Sequence, residues 1–174
     1  MKIWNILVTI IFLVYDTYWT NGVILTYNEK TTFTHYESVE LQNSKVFWVK
    51  GLKDGILGLF ETSDSPEPLY EFLIGGGNNK YTGIRNETKG HVRRLSRKED
   101  ILLDNTRFKP FWLSWDENFV QMGSGLTVGS GIKLSLPRQH TIPLNFLALR
   151  PDYGLPISFI LELECSKIPI TDLP

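Results

Sequence analysis

The stretch FWLSWDENFVQMG at residues 111–123 decides how this chain is read. In an extended segment Phe111, Leu113 and Trp115 fall on one side, and Trp112, Ser114 and Asp116 on the other. A two-residue turn at Glu117 and Asn118 sets Trp115 opposite Val120 and Leu113 opposite Met122, so one face of the hairpin is wholly apolar. A slip of one residue would bring Gln121 into that face, and the pattern therefore specifies the register. Glu-Asn is a weaker turn pair than Asn-Gly, but the apolar register outweighs it. The opposite face then carries Trp112, Ser114, Asp116, Phe119 and Gln121.

Outward from the hairpin, short period-two runs recur at 34–41, 46–50, 56–60, 69–74, 81–85, 132–136 and 144–149. The plainest lies near the end, where Ile157, Phe159, Leu161 and Leu163 alternate with Ser158, Ile160, Glu162 and Glu164. That segment is expected to be half-buried, its polar side in water. No long window keeps the i, i+3, i+4 spacing of a helix. About ten short strands separated by Gly, Pro, Asn and Asp clusters predict an all-β fold, a single antiparallel β-sandwich of jelly-roll type. Residues 91–104 are expected to form a charged loop, since only Leu95, Ile101, Leu102 and Leu103 could anchor it.

Residues 1–22 run from Lys2 through an apolar stretch at 3–14 to a polar stretch at 16–22, the order of a signal peptide. Spanning a bilayer takes roughly 20 apolar residues, so no membrane anchor is expected in the mature chain. A buried N-terminal strand is the competing reading. With cleavage near Gly22, residues 23–174 form one secreted, extracellular domain, long enough to build a core. Cys165, the one cysteine, can make no internal disulfide; it is a buried thiol or a bridge between copies, which leaves a homo-oligomer open. Loss of Lys2 and Asp16 keeps the net charge at -1, which argues against nucleic acid as partner. In a secreted chain Asn86, in Asn86-Glu87-Thr88, is an N-glycosylation acceptor and is expected on a surface loop.

The glycine-rich stretches at 75–80 and 123–131 lead into strand patterns rather than helices, so they read as turns and not as phosphate-binding loops. His35, His91 and His140 are scattered and have no zinc spacing. No G-x-S-x-G elbow occurs. The residues thus nominate no catalytic group, metal or cofactor. Ligand candidates are Trp112, Asp116 and Gln121 on the outer face of the hairpin, and Asn78, Asn79 and Arg85 at the loops. Trp112 either stacks a sugar ring or small apolar ligand or lies beneath another segment. Trp48 reads more readily as covered.

Several segments in order carry a family resemblance: Phe47-Trp48-Val49-Lys50-Gly51, Asp54-Gly55-Ile56, residues 70–76 with Asn78-Asn79, Gly83-Ile84-Arg85, and above all Phe108-Lys109-Pro110-Phe111-Trp112-Leu113-Ser114-Trp115-Asp116. In that order the chain resembles the farnesoic acid O-methyltransferase-like domain of arthropods and other invertebrates, over residues 46–159. The later part departs from it: Ile132-Lys133-Leu134-Ser135-Leu136 stands where such domains have an aromatic-containing strand ending in Trp. The resemblance implies an extracellular recognition module for a glycan or small ligand. The family name implies an alternative, S-adenosylmethionine-dependent methylation of farnesoic acid or a similar isoprenoid acid.

Overall fold

The computed structural model of the protein describes residues 7–15, 18–28, 32–88, 91–99, 103–139, 141–151 and 156–162. The strands there are, in chain order, β1 (Leu7–Tyr15), β2 (Tyr18–Tyr27), β3 (Thr34–Ser38), β4 (Ser44–Gly51), β5 (Gly55–Phe60), β6 (Tyr70–Gly75), β7 (Tyr81–Thr88), β8 (His91–Glu99), β9 (Lys109–Trp115), β10 (Phe119–Ser124), β11 (Ile132–Pro137), β12 (Phe146–Pro151) and β13 (Ile157–Glu162). They form two antiparallel sheets, one ordered β1-β2-β13-β4-β9-β10-β11 and the other β3-β12-β5-β6-β7-β8. The ten expected runs all appear as strands.

The β9–β10 hairpin has the register its apolar pattern demands: Trp115 lies opposite Val120 and Leu113 opposite Met122. These four side chains join Phe47, Val49, Phe111, Phe159 and Leu161 on the inner face of the seven-stranded sheet. Leu57, Leu59, Tyr70, Phe72, Ile74, Ile84, Leu147 and Leu149 line the inner face of the six-stranded sheet. Period-two alternation places each set on one side, and burying a side chain of this size contributes about 1.5–3 kcal/mol. At the other lateral end, β11 packs against β8 and brings the two sheets together.

Three expectations are corrected. Residues 91–99 form strand β8, paired with β7 from Tyr81↔Glu99 to Thr88↔His91, rather than a charged loop. An edge strand needs backbone pairing on one side only, so its side chains can be charged. The sequon at Asn86 therefore lies on β7 and not in a loop. Ser158 and Ile160, expected on the polar side in water, are buried; β13 is an interior strand between β2 and β4. Leu163, Glu164, His140 and Cys165 lie outside the described residues.

The leader-like segment supplies β1 and the first half of β2. The pairs between β2 and β13 run only from Ile157↔Tyr27 to Glu162↔Gly22. Among the described residues, those of β2 before Gly22 pair with β1 alone.

Candidate functional site

The candidate residues on the seven-stranded sheet turn out to support the fold. Trp112 points outward as expected but is 0% exposed. Its indole Nε1 donates to Ser130 O at 2.8 Å, so the loop between β10 and β11 is fastened over it. Gly123 lies directly opposite, and a Cβ there would stand 2.3 Å from the indole ring. The bare glycine makes room for the ring, and the loop covers it; Trp112 is not an open stacking platform. Asp116 caps the hairpin turn: its Oδ1 accepts from Asn118 N at 2.6 Å and Phe119 N at 2.7 Å. Those backbone N–H groups, Phe119's first, hold its carboxyl below the usual value, with Arg138 adding a smaller effect. Gln121 remains half-exposed, donating from Nε2 to Ser135 Oγ at 3.0 Å.

Asn78 and Asn79 sit in the turn between β6 and β7, where Gly75, Gly77, Asn78 and Asn79 all have positive φ. Asn tolerates that left-handed geometry better than most residues, which accounts for the Asn pair without a ligand. Asn78 Oδ1 accepts from Lys53 Nζ at 3.2 Å. Asn79 holds the backbone of Leu103 through both ends of its amide. The six candidates therefore do not converge. They divide between the outer face of one sheet, a turn, and the outer face of the other sheet, where Arg85 lies.

Arg85 belongs to a polar centre that the sequence hides. On the outer side of the six-stranded sheet, Glu71 of β6 lies opposite Arg85 of β7 on one flank and Gly58 of β5 on the other. Arg85 Nε donates to Glu71 Oε2 at 2.5 Å, and Arg150 Nη2 of β12 donates to Glu71 Oε1 at 2.8 Å. The Glu71 side chain is 0% exposed, while those of Arg85 and Arg150 keep 17% and 15%. Gly58 lets aromatic rings lie beside this group, since a Cβ there would be 2.6 Å from Phe60 and 2.7 Å from Phe33. Phe33 and Tyr36 both pack edge-on against Phe60. The Arg150 guanidinium stands 5.0 Å above the Phe33 ring.

Each guanidinium is thus fixed by a charge-assisted bond, and each keeps donors on a sheet face beside aromatic surface. Among the described residues neither Nη atom of Arg85 has a hydrogen-bond partner, and Arg150 Nε is buried without one. Glu71 is fully buried with a guanidinium on each oxygen, so the part of this ion triad that reaches the surface is its two guanidiniums. Further along β7, Arg97 of β8 lies 3.9 Å above the Tyr81 ring and pairs with Glu99. No group of His, Cys, Asp and Glu side chains suited to a metal occurs among the described residues. The Glu71 carboxylate and Arg150 were missed in the sequence; the single available signal was one acidic residue inside the apolar run at 70–74.

Three solved structures share this architecture. Sheep galectin-11 in complex with glycerol superposes with a TM-score of 0.52 at 11% identity, covering 74% of this chain and 92% of the galectin. The carbohydrate-binding module CBM66 of Bacillus subtilis gives 0.52 at 7% identity over 90% and 94% of the two chains. A family 16 endo-glucanase of Bacteroides ovatus, in complex with G4G3G-2F-DNP, gives 0.51 at 13% identity over 90% and 85%. At these identities the likeness is one of fold, the β-sandwich. No curated protein matches the sequence. The sequence profile described as farnesoic acid O-methyl transferase matches residues 25–164, a span that holds every strand from β3 to β13 and the Arg85–Glu71–Arg150 centre, and this chain belongs to that family.

Proposed function

We propose that the protein is a secreted recognition module that binds a glycan on the outer face of its six-stranded sheet. The observation that carries this reading is the Arg85–Glu71–Arg150 centre beside Phe33, Tyr36 and Phe60. Fixed donors next to aromatic surface match a sugar, whose oxygens accept hydrogen bonds and whose C–H faces pack on rings. Support comes from two neighbours of the same fold, one named a carbohydrate-binding module and one a glucanase. Secretion rests on the order of residues 1–22, and the fold is compatible with it: cleavage near Gly22 leaves the β2–β13 pairs from Val23 to Tyr27 in place. In a secreted chain Asn86 is the glycosylation acceptor. Among the described residues no helix is long and apolar enough to cross a membrane.

A glycan array probed with the secreted chain tests the proposal. Binding is expected, with loss of the signal in Arg85→Ala when it is assayed well below that variant's melting temperature. An array with no bound glycan refutes it. Intact-mass measurement of the secreted protein checks both the cut near Gly22 and a glycan on Asn86.

The family name favours a second reading, methyl transfer to an isoprenoid acid, whose carboxylate two guanidiniums would also hold. Calorimetric titration with S-adenosylmethionine separates the two, because heat of cofactor binding is expected only for the second.

A further inference from the structure

We infer that the bound glycan is anionic, bearing sulfate or carboxylate groups that Arg85, Arg97 and Arg150 receive along the β7–β8 side of the six-stranded sheet. This inference rests on the glycan reading above and names its chemical class. Hydrogen-bond capacity gives the first argument. A neutral sugar hydroxyl both donates and accepts, and a site for it supplies both partners. Here Glu71, the carboxylate at the centre, already gives one oxygen to Arg85 and the other to Arg150. With Glu71 fully buried, the charged groups that reach the surface of the triad are its two guanidiniums, whose complement is an anion.

Charge distribution gives the second. Residues 81–99, the β7–β8 hairpin, hold six basic residues against two acidic, while the rest of the chain holds twelve against seventeen. The excess of cations is thus confined to one hairpin of a protein that is acidic elsewhere. The one buried carboxylate there is shared between two guanidiniums, so an anion from outside would supply the counter-charge they lack.

Arg97 stands on the same face as Arg85. Tyr81, Gly83 and Arg85 face the same way, Arg97 is opposite Gly83, and a Cβ on Gly83 would lie 3.7 Å from the Tyr81 ring. Stacking on that ring holds the Arg97 guanidinium flat, with a third of its side chain exposed (33%).

The test is titration of the intact secreted chain with heparin, desulfated and carboxyl-reduced heparin, neutral dextran and a single-stranded DNA oligonucleotide over a range of salt concentrations. Heparin is expected to bind, and its affinity to fall as salt rises. Removal of its charged groups should abolish binding. Arg97→Gln, an exposed edge-strand change that leaves the core intact, should weaken heparin binding by about tenfold and lower the salt slope by about one, as for loss of one ionic contact. Salt-independent binding of neutral glycans overturns the inference and leaves the glycan reading standing. Affinity for the oligonucleotide equal to that for heparin overturns it too, marking a general polyanion surface. Failure of every glycan, charged or neutral, refutes the glycan reading itself.

Discussion

Asn79 clasps the backbone of Leu103 with both ends of its amide, its Nδ2 donating to Leu103 O at 2.8 Å and its Oδ1 accepting from Leu103 N at 2.9 Å. This clasp ties the β6–β7 turn to the segment that enters β9. Asn79 also has φ +63, a conformation that costs an L residue roughly 1–2 kcal/mol. Asn79→Ala loses two partly buried hydrogen bonds, each worth about 0.5–1.5 kcal/mol, and keeps the backbone strain. Asn79→Gly loses the same bonds but relieves the strain. Urea unfolding should therefore rank wild type above Asn79→Gly, and Asn79→Gly above Asn79→Ala, with the last destabilised by about 2 kcal/mol. An Ala variant as stable as the Gly variant would contradict the assignment.

The buried carboxylate at the ligand face makes a second prediction. Removing one partner of a buried ionic group costs about 3–5 kcal/mol, because the remaining charges stay buried and unpaired. Glu71→Gln leaves two guanidiniums without a counter-charge and should fall in that range by denaturant unfolding. Arg85→Ala should cost less, since Arg150 still neutralises Glu71. If Arg85→Ala is the more damaging change, Glu71 is not the hub of the network.

Trp112 and Gly123 form a matched pair across β9 and β10. Truncating a buried Trp to Ala costs about 3–5 kcal/mol. Adding one methyl at Gly123 forces the indole to move and should cost about 1–3 kcal/mol. Thermal melts of Trp112→Ala and Gly123→Ala should both fall, with glycan affinity unchanged in whatever fraction remains folded. Weaker binding by folded Gly123→Ala, at a temperature well below its melt, would return Trp112 to the binding surface.

The contrast between these sites explains how far the sequence could be read. The β9–β10 register was legible because four apolar side chains within ten residues must share one face. β8 was not legible: its side chains are charged, and what makes it a strand is the backbone of β7, which a pattern of side chains does not record. Trp112 was rightly placed on the outer face, yet the loop at 124–131 that covers it left no trace beyond a glycine opposite. The polar centre was the hardest to see. Glu71 meets Arg85 and Arg150 only through pairing of β6 with β7 and packing across to β12, over separations of 14 and 79 residues. A lone Glu among Tyr70, Phe72, Leu73 and Ile74 reported that a partner was needed, without naming it.

A last prediction concerns acid. Asp104, in the connection into β9, accepts at Oδ1 from Thr106 Oγ1 at 2.6 Å and Thr106 N at 2.8 Å, and at Oδ2 from Arg107 Nε at 2.9 Å. These bonds, the Thr106 hydroxyl's first, hold its carboxyl down to about 2 from an ordinary 3.8. A folded-state value below the unfolded one means that the unfolded chain takes up the proton first. The stabilisation is complete above the unfolded value near 3.8 and is lost as pH falls through about 2. Melting temperature should therefore stay level, as far as Asp104 is concerned, down to about pH 5 and then drop steadily towards pH 2. Asp104→Asn should melt lower than wild type at about pH 7 and converge with it near pH 2. Its acid slope should be reduced rather than abolished, because the turn-capping carboxyl of Asp116 is also held below its usual value and titrates in the same direction. A gap between the two melting curves that stays constant down to pH 2 would mean that the Asp104 carboxylate contributes nothing through its charge.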